Sequence, residues 1–209
     1  MGFSGTLVFC RSERPLAEAE VFDTLQEEVR EELVANGEWW PRPGGWRTAS
    51  VGGDYWDEEI LREIVEWSGA PACLGYVYDS DVVYVRGLTP GGQEWGATVG
   101  MEIAAGLRVE PPDDLPGDPI SWYSSAECAE AIARKVAEFD ADVPGDARDA
   151  LAWAAAAGVG SGVEAAAIEA LLRTTPDPFA EELFCDLLDA LGFPPAQVPI
   201  PAEVPIPAP

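Results

Sequence analysis

The sequence predicts an α+β fold: an N-terminal mixed sheet of about five strands with two helices, an all-α C-terminal half of about four helices, and an extended proline-rich tail. Three observations carry this. Between residues 72 and 99, three β-branched and aromatic runs are separated only by turn-forming residues. Before them, two segments place apolar residues at helical spacing. After Glu110-Pro111-Pro112-Asp113-Asp114-Leu115-Pro116-Gly117-Asp118-Pro119 the chain carries one helix-start signal after another.

The first element is a strand, because Gly5 to Cys10 is a short apolar run closed by Arg11-Ser12. The first helix follows, with Val21, Phe22, Leu25, Val29 and Leu33 on one face and Glu27, Glu28, Glu31 and Glu32 on the other. Asn36-Gly37 ends it, since both residues tolerate the left-handed conformation found at helix C-termini. The stretch from Trp39 to Trp46, rich in proline and glycine, reads as a loop, and a strand runs from about Trp46 to Val51. A second helix is capped by Asp54 or Asp57, carries Ile60, Leu61, Ile64 and Val65, and closes at Ser68-Gly69. Strands at about 72–78, 82–87 and 94–99 come next, joined by Asp79-Ser80-Asp81 and by Thr89-Pro90-Gly91-Gly92. Connections this short require antiparallel neighbours.

In the C-terminal half, Ser124-Ser125-Ala126-Glu127 is a capping box before Cys128, Ile132, Val136 and Phe139. Asp146 opens a helix through Ala150, Leu151 and Ala154. Ser161-Gly162-Val163-Glu164 is a further box before Ile168, Leu171 and Leu172. Asp177-Pro178 places proline at the first turn of the helix carrying Phe179, Leu183, Leu187 and Leu191. Alanine stripes at 154–157 and 165–167 let helices approach closely and favour packing over deep pockets. The organisation expected is an α+β domain over 1–109, a linker over 110–120, a helical domain over 121–193 and a tail over 194–209.

Charge limits the partners. The 209 residues carry 38 acidic and 12 basic side chains, a formal net charge of −26, and the excess is spread over both halves. Neither half has the basic surface that phosphate-backbone binding requires, so direct nucleic-acid and anionic-membrane partners are disfavoured and a basic protein is the natural one. Histidine is absent. That excludes Ser-His-Asp and Cys-His catalysis and the HExxH zinc helix. Cys10, Cys73, Cys128 and Cys185 lie far apart with no CxxC pair, which argues against a zinc ribbon or a dithiol redox motif. No membrane span and no signal peptide are legible, so a cytoplasmic location is expected, and no cofactor is implied.

Three constellations remain. Asp79 and Asp81 alternate about a turn, where two carboxylates are a metal or acid/base site or a turn that bonds its own backbone. Trp39, Trp40 and Trp46 are a stacking surface for a partner or a plug at the edge of the core. Glu27, Glu28, Glu31 and Glu32, with the glutamates of the second helix, form either a solvated face or a surface for a basic partner. The tail repeats Val-Pro-Ile-Pro-Ala, and Val198, Ile200, Val204 and Ile206 suit an extended arm docked in an apolar groove of its own chain or of a neighbouring copy. The leading expectation is a non-enzymatic interaction protein, such as an inhibitor or immunity-type binder of a basic protein. The alternatives are a carboxylate- or Mg-dependent enzyme using Asp79 and Asp81, and an assembly component whose tail docks on a neighbouring subunit.

Overall fold

β1 (Gly5–Arg11) sits inside a sheet rather than at its edge, and the rest of the molecule is arranged around it. The computed structural model describes residues 2–14, 18–24, 40–52, 57–112 and 119–196. With β2 (Trp40–Arg42), β3 (Trp46–Gly52), β4 (Ala72–Tyr78), β5 (Val82–Leu88) and β6 (Glu94–Val99), β1 forms a six-stranded sheet in the order β2-β3-β1-β4-β5-β6. Every neighbouring pair is antiparallel, so the fold is α+β but its sheet is not mixed. The strand that sequence reading took for loop is β2. Gly44 and Gly45, at φ 83° and 80°, turn the chain back so sharply that Arg42 pairs with Trp46. Residues with a Cβ reach such angles only at a cost.

The helices are α1 (Glu58–Ser68), α2 (Met101–Arg108), α3 (Pro119–Trp122), α4 (Ala126–Ala156), α5 (Ala165–Leu172) and α6 (Ala180–Ala190). α1 begins and ends where its signals place it: the Asp57 carboxylate accepts from the Glu59 N–H at 2.9 Å, and Gly69 closes it at φ 65°. Ser125 caps α4 by accepting from the Cys128 N–H at 3.1 Å. Two expectations fail, and one helix, α2, is unannounced. Asp146 does not open a helix, because α4 runs unbroken for 31 residues through Pro144. An interior proline costs roughly 3 kcal/mol, and burial of Val143, Ala147, Ala150 and Trp153 on one face of the helix offsets it. Ser161 does not cap α5, which starts after Glu164 without a side-chain cap. α2 gave no signal because its N-cap is Gly100, where φ is 81° and a Cβ would meet the Asp81 carbonyl oxygen at 2.3 Å.

For the first predicted helix, the described residues show a 3-10 helix at Glu20–Thr24 with Phe22 buried. The rest of that segment, including Glu27, Glu28, Glu31 and Glu32, lies outside the described residues, as do Trp39, most of the proline-rich linker and residues 197–209 with Val198, Ile200, Val204 and Ile206.

Strand alternation sends side chains to two cores. Leu7, Phe9, Cys73, Val83, Val85 and Trp95 face α4, α5 and α6, whose Ala147, Ala150, Trp153, Ile168, Phe184 and Leu187 cover them. Val8, Cys10, Ala49, Val51 and Leu74 face the other way, under Leu61, Ile64 and Val65 of α1 and Phe22. The first core is strongly aromatic. Phe9 stacks on Trp46 at 5.1 Å and 8°, and Phe193 meets both rings edge-on at 4.9 and 4.7 Å. Trp153 lies against Phe193 and Trp95 at 5.3 and 5.5 Å and donates its indole N–H to the Leu88 carbonyl at 3.2 Å. No helix among the described residues is long and apolar enough to cross a membrane.

Candidate functional site

Two features compete for attention: the aspartate hairpin singled out in the sequence, and a cleft that the sequence did not announce. At the hairpin, Asp79 and Ser80 both adopt positive φ, 50° and 60°, and the Asp81 N–H returns to the Tyr78 carbonyl at 3.0 Å. Such a turn favours the right-handed twist of its strands but strains residues other than glycine. Local bonds offset that strain. Asp79 Oδ1 accepts from the Gly2 N–H at 3.1 Å, and the Asp79 N–H donates to Ser4 Oγ at 2.9 Å. Ser80 Oγ accepts from the Phe3 N–H at 2.8 Å and donates to Glu181 Oε1 at 3.1 Å, while the Ser80 carbonyl accepts from the Ala180 N–H at 2.7 Å. The turn thus ties the N-terminal segment to the start of α6. Among the described residues no three cysteines or carboxylates gather in a way that could hold a metal ion.

The cleft lies beside β6 and has a volume of about 760 Å³. Its floor comes from β4 and β5, where Tyr76 and Tyr84 are direct cross-strand partners and stack at 6.5 Å and 16°, with Tyr78 next to them. Gly96, Ala97 and Thr98 of β6 contribute the edge. α2 supplies Met101, Leu107 and Arg108, and α4 supplies Phe139, Asp142, Val143 and Asp146 from successive turns. These turns lie over β6 because Val143, Ala147 and Ala150 bury beneath them.

The charges of the cleft are unevenly satisfied. The Arg86 guanidinium is bonded to Glu58 at 2.7 Å. The Arg108 guanidinium sits 5.1 Å from the Tyr84 ring centre and 5.8 Å from that of Phe139, within cation–π range. By contrast, neither Asp142 nor Asp146 has a cation within ion-pair distance among the described residues. Burial, and then the neighbouring Asp142 and Asp149 carboxylates, push the Asp146 carboxyl up to about 6.

That shift has a sign that can be measured. A carboxyl whose pKa is raised on folding binds its proton more tightly in the folded state. The resulting stability is fully present below the ordinary value of 3.8 and is lost as pH rises through about 6. Asp146→Asn removes the titration. Its melting temperature is expected to exceed that of the parent above pH 7, with the difference shrinking to nothing near pH 4. A difference independent of pH over this range would show that Asp146 is not the group responsible.

Three of the four cysteines are poor nucleophiles. All four are free, and burial pushes Cys10 up to about 12, Cys185 up to about 11 and Cys73 well above the ordinary thiol range. Of the tryptophans assigned to a partner surface, Trp46 is 5% exposed inside the aromatic core. Trp40 lies on the outermost strand, β2. The cleft residues escaped sequence reading because each has a routine local role, the tyrosines in strands and the aspartates on a helix. One signal was available: Tyr76 and Tyr84 are equidistant from Ser80, which makes them a pair in any hairpin centred there. No protein-family model, curated protein or solved structure matches this chain.

Proposed function

We propose that this chain is a non-enzymatic interaction protein that captures a basic protein partner by an acidic surface, as inhibitors and immunity-type binders do. The observation that supports this reading is the cleft wall where Asp142 and Asp146 have no cation within ion-pair distance among the described residues, in a chain of net charge −26. Elsewhere on the molecule two helices carry the same sign. α1 carries Glu58, Glu59, Glu63 and Glu66 against Arg62, and α6 carries Glu181, Glu182, Asp186 and Asp189 with no basic residue. Surfaces of one sign raise the encounter rate with partners of the other and reject like-charged competitors.

The test is to identify the partner that co-purifies from the native cell and to measure its binding to the purified chain. The partner is expected to be basic, with an association rate that falls at least tenfold between low and physiological salt while dissociation changes little. An acidic partner, or an association rate indifferent to salt, overturns the reading.

A further inference from the structure

The cleft is one side of a larger feature. α2 buries Ala104 and Ala105 against its neighbours but leaves Ile103 and Leu107, one turn apart, each 47% exposed. Leu107 lines the cleft, and Ile103 lines a second, smaller hollow of about 290 Å³ between α2, α4 and Thr174-Thr175-Pro176. Two exposed branched side chains between two hollows form an apolar strip, and the carboxylates of Asp142 and Asp146 stand beside it. The aromatic rings next to those carboxylates, Tyr84 and Phe139, already hold one guanidinium, that of Arg108, at cation–π distance.

Resting on the reading of the chain as a binder of basic proteins, we propose that the face formed by α2 and the cleft is the docking surface for an amphipathic basic segment of the partner. The segment's apolar side chains cover Ile103 and Leu107, and one arginine or lysine enters the cleft to meet Asp142 and Asp146. Charge complementarity selects this occupant. The arginines of the cleft are already engaged, Arg86 by Glu58 and Arg108 by the aromatic rings, whereas neither carboxylate has a cation within ion-pair distance among the described residues. An acidic or purely apolar segment would leave them so, at the cost of further desolvation. A cation entering there relieves the repulsion between Asp142 and Asp146, and its aliphatic stem packs on the aromatic wall.

The experiment uses the full chain and a fluorescein-labelled peptide of leucine and arginine, with leucines three and four residues apart, titrated at physiological salt. A peptide with glutamate in place of arginine is the control for charge. The double variant Asp142→Asn/Asp146→Asn is expected to weaken binding of the basic peptide at least tenfold, and Ile103→Ser/Leu107→Ser by a similar factor. Glu127→Gln/Glu130→Gln at the start of α4, an exposed pair of the same charge that lines neither hollow, should change it less than twofold. The aspartate variant tests charge without a folding penalty, since Asp146→Asn removes an unfavourable burial. Equal weakening by the cleft pair and the Glu127/Glu130 pair would overturn this docking site while leaving a non-localised acidic binder intact. Binding of the glutamate peptide as tight as that of the arginine peptide, or no binding of either, would overturn it as well. The general reading is judged separately, on the native partner's charge and salt dependence.

Discussion

Trp153→Ala is expected to destabilise the protein by about 3–5 kcal/mol, the range for removing a fully buried tryptophan. The side chain is 0% exposed and touches Phe9, Trp95 and Phe193, so no single neighbour can move to fill the space it leaves. Its indole N–H also satisfies the Leu88 carbonyl, which would lose that donor. In a chain of this length the loss corresponds to a fall in melting temperature on the order of 10 °C. Urea unfolding followed by fluorescence measures it. A loss below about 1 kcal/mol would mean that the helical layer is not packed on the sheet as described.

The second large effect concerns Arg42, whose side chain is completely buried although it lies on β2, the outermost strand. It forms an ion pair with Asp189 of α6 and donates to the Pro194 carbonyl at 2.9 Å and the Cys185 carbonyl at 3.3 Å. Two substitutions separate its contributions. Asp189→Ala leaves a buried guanidinium facing only carbonyl dipoles and the Phe9 ring, 5.9 Å away, and is expected to cost about 3–5 kcal/mol. Arg42→Met removes the cation itself, keeps most of its volume, and strands two carbonyls beside a partly solvated carboxylate, at a cost of about 1–3 kcal/mol. The substitution at the more exposed residue is therefore expected to do more damage. Denaturant unfolding of both variants decides it; if Arg42→Met proves the more harmful, the arginine contributes chiefly through its carbonyl contacts and not through the pair.

The legibility of this fold in its sequence depended on how local each cause was. β4, β5 and β6 could be read because alternation, β-branched content and short turns agree over a stretch of fewer than 30 residues. α1 could be read because its cap, apolar stripe and closing glycine are all within it. α4 could not, since Pro144 argues locally for a break and only the distant sheet beneath Val143 and Ala147 argues for continuity. β2 could not either, because a three-residue strand is stabilised by a partner that the turn at Gly44 and Gly45 must first deliver. The cleft is the extreme case. Its aspartates and tyrosines are more than 50 residues apart in the chain, so each looks ordinary until β6, α2 and α4 converge. At the Asp79 and Asp81 hairpin, where the sequence raised a question, Asp79 and Ser80 are turn residues bonded to Gly2, Phe3, Ser4 and the start of α6.

The central position of β1 has a consequence for the order in which this fold can assemble. Its two sheet partners end at Gly52 and Tyr78, and rings of Trp153 and Phe193 close on Phe9. Leu7 and Phe9 receive no helical cover until α4 and α6 dock on that face of the strand. Folding of that core is therefore dominated by contacts distant in sequence and slow for the chain's size. Until it is complete, the same apolar strand is the segment most in need of protection from other chains.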